Sequence, residues 1–132
     1  MLLTKASEYA LLSLVLIARS DTHEDVDTLS KRLGISRSFL AKILQSLARD
    51  GILQSFKGAK GGFALNKEPK EISIRKVIES AEKKPLNIFE CSSEAGLCPS
   101  GKGDFCVIWP FLNKFQLKID EFLDDMSLDE IL

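Results

Sequence analysis

The chain contains three cysteines, spaced Cys91, six residues, Cys98, seven residues, Cys106. Iron–sulfur clusters and many zinc sites take thiolate ligands, and a loop that gathers three of them can wrap a small inorganic core. Gly96, Pro99, Gly101 and Gly103 lie between the cysteines and suit a chain that bends around something. An odd number of cysteines cannot all pair within one chain, and clustered cysteines in a reducing compartment serve as metal ligands or redox-active thiols more often than as structural disulfides. The spacing lacks the Cys-x2-Cys turn of structural zinc. It marks a metal or redox site and leaves iron–sulfur, zinc and a thiol–disulfide switch open. No fourth cysteine is present, and the single histidine, His23, stands in an acidic loop, so a fourth ligand must come from elsewhere, with carboxylates as candidates.

A second set of residues offers charge. The whole chain carries a net charge of −1, but residues 31–70 hold nine Lys/Arg against two acids and residues 71–132 hold seven against twelve, local balances of +7 and −5. Such asymmetry predicts a basic face for a polyanion and an acidic remainder. Within the basic stretch, residues 29–40 read as two short helices joined at Gly34, with Leu29, Leu33, Ile35 and Leu40 placed to pack them together, a helix-turn-helix. The second helix then presents Ser36, Arg37, Ser38, Ala41, Lys42 and Gln45 for the major groove, where Arg, Lys and Gln hydrogen-bond to purine edges. A Gly-rich hairpin follows directly, with Lys57 and Lys60 at its tip to reach phosphates or the minor groove.

The elements that position these groups follow from periodicity and caps. Residues 4–18 predict an amphipathic helix capped by Thr4, with Tyr9, Leu11, Leu12, Val15 and Leu16 as its apolar positions. Asp27 or Thr28 predicts the cap of a helix over Leu29–Leu33 that Gly34 ends, and Ser36 that of a helix to about Asp50 with Phe39, Leu40, Ile43, Leu44 and Leu47 on one face. Ile52–Phe56 and Phe63–Asn66 read as strands, their glycines supplying positive φ at the tip. Ile74–Ala81 reads as a helix stopped by Pro85. Residues 86–107 lack periodicity, and a loop of that length is usually functional. Pro110 suits the first turn of a last helix, striped by Ile108, Phe111, Leu112, Phe115, Ile119, Phe122, Leu123 and Met126. The expected fold is mainly α with a small β-hairpin. It comprises a winged helix-turn-helix domain at 1–84, a cysteine loop at 85–107, and a dimerisation helix and tail at 108–132.

No run of about 18 apolar residues predicts a membrane span, and no signal-peptide pattern opens the chain, so a cytoplasmic protein is expected. One histidine leaves little acid–base machinery, and no nucleophile–base pair or nucleotide loop stands out, which argues against an enzyme.

These residues resemble the IscR/NsrR family of winged-helix transcription regulators over nearly the whole chain. The likeness runs through Leu3-Thr4 with Glu8-Tyr9-Ala10, then Leu33-Gly34-Ile35-Ser36, then Phe39-Leu40 with Ile43-Leu44 and Leu47. It continues with Gly51-Ile52-Leu53, the wing Lys57-Gly58-x2-Gly61-Gly62-Phe63, and Ile72-Ser73-Ile74 with Val77-Ile78-Glu79, ending in the three-cysteine loop and Trp109. The resemblance implies a homodimer on a double-stranded DNA operator, expected to act as a repressor, with no membrane and no small-molecule substrate. It also implies an iron–sulfur cluster, [2Fe-2S] or [4Fe-4S], on Cys91, Cys98 and Cys106, whose state sets operator affinity in response to redox, nitric oxide, oxygen or iron status. Some members of that family take a fourth ligand from a histidine three residues after the last cysteine. Here that position is Trp109, which cannot ligate iron. Others use an acidic residue in the first helix of the opposite subunit, which corresponds to Glu8. A cluster-free thiol/disulfide sensor on the same DNA-binding frame is the alternative.

Overall fold

A computed structural model gives the fold and describes residues 3–88 and 106–132. Cys91 and Cys98 lie outside the described residues.

Helix α1 spans Lys5–Ala18, and Thr4 caps it by accepting the Ala6 N–H at 3.2 Å. Its buried face is Ser7, Ala10, Ser13, Leu14 and Ile17. Of the expected stripe, Tyr9, Leu11 and Leu16 are partly buried and pack at the edge of the core, whereas Leu12 is 43% exposed. The helix is apolar nearly all round, so periodicity could not choose the inner face, and the small serines that fit close packing carry no hydrophobic signal.

Helix α2, Val26–Leu33, starts three residues earlier than expected because Asp25, not Asp27 or Thr28, is its cap. The Asp25 carboxylate accepts the Thr28 backbone N–H at 2.7 Å and its hydroxyl at 2.9 Å, bonds that hold its pKa below the ordinary value. Gly34, at φ +67°, takes the left-handed conformation that closes the helix. Ser36 caps α3, Arg37–Arg49, accepting the Phe39 N–H at 3.2 Å.

Strands β1 (Leu53–Phe56) and β2 (Gly62–Leu65) form an antiparallel hairpin, with Leu53 opposite Leu65 and Phe56 opposite Gly62. A single 3-10 turn, Pro69–Glu71, leads to α4, Ile74–Glu82. That helix does not run on to Pro85: Lys83 adopts φ +60° and its N–H caps the Glu79 carbonyl. Helix α5 spans Trp109–Asp124 with Pro110 in its first turn.

The core draws on every helix and both strands. Leu14, Leu29, Leu40, Leu44, Leu47, Leu53 and Val77 are fully buried. After α5 the chain returns to the start of α4: the Leu128 N–H donates to the Ile72 carbonyl at 2.9 Å and the Ile74 N–H to the Met126 carbonyl at 3.1 Å. Leu128 is fully buried in the same core as Leu14 and Leu44. Arg75 of α4 adds an ionic tie, 3.1 Å from Asp120 and 3.2 Å from Asp124 of α5.

Candidate nucleic-acid interface and thiolate centre

Helix α3 divides cleanly into two sides. Leu40, Ile43, Leu44 and Leu47 are buried. Ser38, Lys42, Gln45 and Arg49 are exposed at spacings of four, three and four, one continuous polar stripe. Ala41 is half-buried beside it. Arg49 completes the stripe although the sequence reading omitted it; its spacing from Lys42 and Gln45 was the available signal. Ser36 is exposed but its hydroxyl serves as the cap. Arg37 is exposed on the flank, its guanidinium paired with Asp27 in the first turn of α2, so it joins the two helices of the motif. Phe39, expected on the apolar face, is 41% exposed and meets Tyr9 of α1 edge-on, ring centres 5.8 Å apart. Its angle on the helix places it against the rim of α1, not over the core.

The hairpin stands beside this stripe. Lys57 and Lys60 are exposed at its tip, and neither has a carboxylate partner among the described residues. Of the three tip glycines only Gly58 has positive φ, at +100°. Gly61 and Gly62 are needed for room: a Cβ on Gly61 would strike the Phe56 carbonyl, and one on Gly62 would come within 2.6 Å of the Glu24 carbonyl oxygen. A cleft of 940 Å³ lies between α3, the start of α2 and the wing, lined in part by Asp25, Arg37, Gln45, Arg49 and Lys57. Its charged lining is mixed, Arg37, Arg49 and Lys57 beside Asp25 and Asp27, with the exposed stripe of α3 at its edge, where a recognition helix would enter a major groove.

Of the three cysteines, Cys106 is within the described residues. It is a half-buried free thiol three residues before α5. The expected ligands Cys91 and Cys98 lie outside the described residues. Glu8 lies in the first turn of α1, its side chain half exposed and paired with Lys5 at 2.9 Å. That turn is anchored by a residue the sequence reading missed. The carboxylate of Glu82, last in α4, accepts the Thr4 N–H at 3.0 Å, the Thr4 hydroxyl at 2.8 Å and the Ser7 hydroxyl. Burial pushes the Glu82 carboxyl up, but the bonds from Ser7 and Thr4 together outweigh it and hold its pKa below the ordinary value.

A second missed residue is Gln116 of α5, 4% exposed. Its amide donates to the Leu86 carbonyl and to Asp120, each at 2.8 Å, and its carbonyl accepts the Ile88 N–H at 2.8 Å. Glu79 accepts the Leu86 N–H at 3.1 Å. The chain running toward Cys91 is thus held by side chains of α4 and α5. A buried glutamine reads as an ordinary polar position in sequence.

The outer face of α5 is apolar: Ile108, Phe111, Phe115 and Phe122 are between 42% and 61% exposed. Phe111 and Phe115 pack edge-to-face with ring centres 6.0 Å apart. Leu112 is buried, and Ile119 is half-buried against the core of its own chain while its other side lines a shallow apolar hollow with Phe111 and Phe115. Among the described residues no helix is long and apolar enough to cross a membrane.

The comparisons with known proteins agree with this geometry. The model of the Rrf2 family, described as iron-dependent transcriptional regulators, matches residues 3–132. The HTH-type transcriptional regulator IscR of Pectobacterium carotovorum is 30% identical over 134 residues, covering 100% of this chain and 79% of that protein. The HTH-type transcriptional regulator NsrR of Bacillus licheniformis is 27% identical over 140 residues, covering 100% of this chain and 92% of its own length. Among solved structures, CymR, the global cysteine regulator of B. subtilis, has a similar fold, with a TM-score of 0.70 at 20% identity over 97% of this chain and 93% of that one. A helix-turn-helix with a basic wing, carried on a chain that the family matches almost end to end, makes this protein a DNA-binding transcriptional regulator and not an enzyme, and a member of the Rrf2 family.

Proposed function

We propose that the protein acts in the cytoplasm as a homodimeric repressor whose affinity for a two-fold symmetric operator depends on an iron–sulfur cluster, [2Fe-2S] or [4Fe-4S]. The observation that carries this reading is the juxtaposition at the start of α5. There a free thiol, Cys106, the end of the three-cysteine segment, adjoins a helix whose aromatic outer face has no cover among the described residues. An exposed apolar face of this kind marks an interaction surface, and a second copy supplies the matching one by symmetry.

The donor set fits such a cluster. Cys91, Cys98 and Cys106 provide thiolates, and Glu8 of the partner subunit provides a carboxylate on an exposed, well-anchored turn. When bound, the cluster supplies ligand bonds that oxidants, nitric oxide or iron scarcity can break. The protein's own residues turn that into a change in DNA binding. As a ligand, Glu8 would tie α1 of one chain to the cysteine segment of the other. Gln116 and Glu79 hold the entry of that segment to α5 and α4. Ser38, Lys42 and Gln45 read the groove, while Lys57 and Lys60 neutralise phosphates. The two recognition helices must sit about 34 Å apart to reach successive major grooves, so a tie between subunits controls whether both engage at once. Regulation requires that the two states differ in DNA affinity.

The test is an absorption spectrum with iron and sulfide assays on protein purified without oxygen, then duplex binding before and after cluster removal. Visible sulfide-to-iron bands with equal iron and sulfide, altered by Glu8→Ala, are expected, together with a change in affinity on removal. A colourless protein with intact thiols that resists reconstitution overturns the cluster and leaves the thiol/disulfide sensor.

A further inference from the structure

The loop before α2 holds the wing from outside the hairpin. The hairpin has only two strands of four residues each, and two-stranded sheets are marginally stable alone. Its tip, residues 57–60, is wholly exposed and has no core of its own. Two ties compensate. Glu24 pairs with Phe63 as a third, single-residue strand: the Glu24 N–H donates to the Phe63 carbonyl at 2.9 Å, and the Phe63 N–H to the Glu24 carbonyl at 2.8 Å. Next to it, the His23 ring stacks on Phe56, centres 5.0 Å apart and planes 26° from parallel, and its Nε2–H donates to the Lys60 carbonyl. Gly62, across from Phe56, leaves the space that the Glu24 backbone fills.

We infer that His23, with Glu24, is a positioning residue for DNA binding: it fixes the wing tip so that Lys57 and Lys60 are presented to the duplex. This rests on the reading of those two lysines as phosphate contacts. His23 holds both ends of the tip at once, the Phe56 ring where the chain leaves β1 and the Lys60 carbonyl where it turns back. Without it, residues 57–60 would be fastened only by the strands behind them and the turn bond from the Gly61 N–H to the Gly58 carbonyl, and more of the ordering of each lysine would fall at the moment of binding. The ring is a hydrogen-bond donor toward a carbonyl and an apolar plate toward Phe56, two roles that one histidine tautomer fills together.

The experiment measures how binding to a duplex of about 30 base pairs and arbitrary sequence falls with salt, since each phosphate contact contributes a slope of about 0.9 in log K against log salt. Losing both wing lysines in Lys57→Ala/Lys60→Ala should lower the slope by up to about 1.8 per chain. His23→Ala should lower it by a substantial part of that, and by nothing further when added to the double lysine variant. In contrast, Lys42→Ala and His23→Ala should add. A slope unchanged by His23→Ala, while the lysine variant lowers it, overturns the inference. So does a His23→Ala loss that persists in full without the lysines, because that loss would be general and not routed through the wing. If the lysine variant itself leaves the slope unchanged, the phosphate reading fails and takes this one with it. Should His23→Ala not fold, His23→Phe keeps the stack, removes the hydrogen bond to the Lys60 carbonyl and carries the same comparison.

Discussion

Replacing Glu82 by alanine should destabilise the protein far more than an ordinary half-buried position would. The carboxylate receives the Thr4 N–H, the Thr4 hydroxyl and the Ser7 hydroxyl. Ser7 is 1% exposed, so its hydroxyl would lose its acceptor away from water, at about 1–3 kcal/mol. Thr4 is exposed and can turn to solvent, but the negative charge at the N-terminus of α1 is lost as well, about 0.3–1 kcal/mol. The expected cost is the sum, about 1.3–4 kcal/mol, read by urea denaturation at neutral pH followed by circular dichroism. Glu82→Gln keeps the shape and one acceptor and should cost less.

The same contacts fix a pH dependence. Because the folded pKa of Glu82 lies below its ordinary value of 4.5, its contribution is present in full above that value and is lost as the pH falls through the folded pKa. The stability gap between the native protein and Glu82→Gln should therefore shrink on acidification. A cost for Glu82→Ala below about 0.5 kcal/mol, well short of the penalty for an unpaired buried hydroxyl, or a Gln gap that does not change with pH, would refute the reasoning.

Gln116→Ala leaves the Leu86 carbonyl and Ile88 N–H without their partner. It should cost about 2–4 kcal/mol and speed hydrogen exchange at Ile88 more than in α1 or α3. Gly62→Ala should disrupt the contact with Glu24, costing about 1–3 kcal/mol in thermal denaturation, whereas Gly58→Ala meets no neighbouring atom and should cost only the backbone strain of its φ of +100°, about 1–2 kcal/mol. Phe115→Glu places a charge in the middle of the aromatic face of α5. On the dimer reading it should shift the protein toward monomer in sedimentation velocity while leaving its helix content unchanged.

The DNA-binding half was legible because its determinants are local. Gly34, Ser36 and the leucines of α3 act over one or two helical turns, and a cap or an αL glycine specifies its neighbours directly. Where the reading went astray, a distant group decided the matter. The inner face of α1 is set by what packs on it, and an apolar helix offers no contrast from which to infer that face. The role of Gly62 depends on Glu24, and that of His23 on Phe56 and Lys60, partners brought together only by the fold. Gln116 and Glu82 are polar residues whose value comes from being half or wholly buried with partners about 30 and 75 residues away, a property that composition and periodicity do not encode. On α5, the eight stripe positions mixed two faces. Leu112 and Leu123 turn inward, and Phe111, Phe115 and Phe122 turn outward.

That division gives α4 a position of consequence. Its nine residues carry Arg75, bound to Asp120 and Asp124 of α5, Glu79, bound to the Leu86 N–H on the way to the cysteines, and Glu82, bound to the first turn of α1. The segment proposed to hold the cluster and the helix that bears Glu8 therefore make polar contacts with a single short helix. Continuity of contact is not yet coupling, which needs an element with two arrangements that both sites bias. Arg75 has the chemistry for one. It binds Asp120 and Asp124, one helical turn apart, at the same guanidinium nitrogen, at 3.1 and 3.2 Å, so either carboxylate alone would keep the ionic tie if α5 shifted. A hydrophobic contact in that place would resist such a shift in proportion to the area it uncovers. The polar joint would hold α5 through such a shift, as the proposed dimer face and the proposed cysteine segment at its start would require.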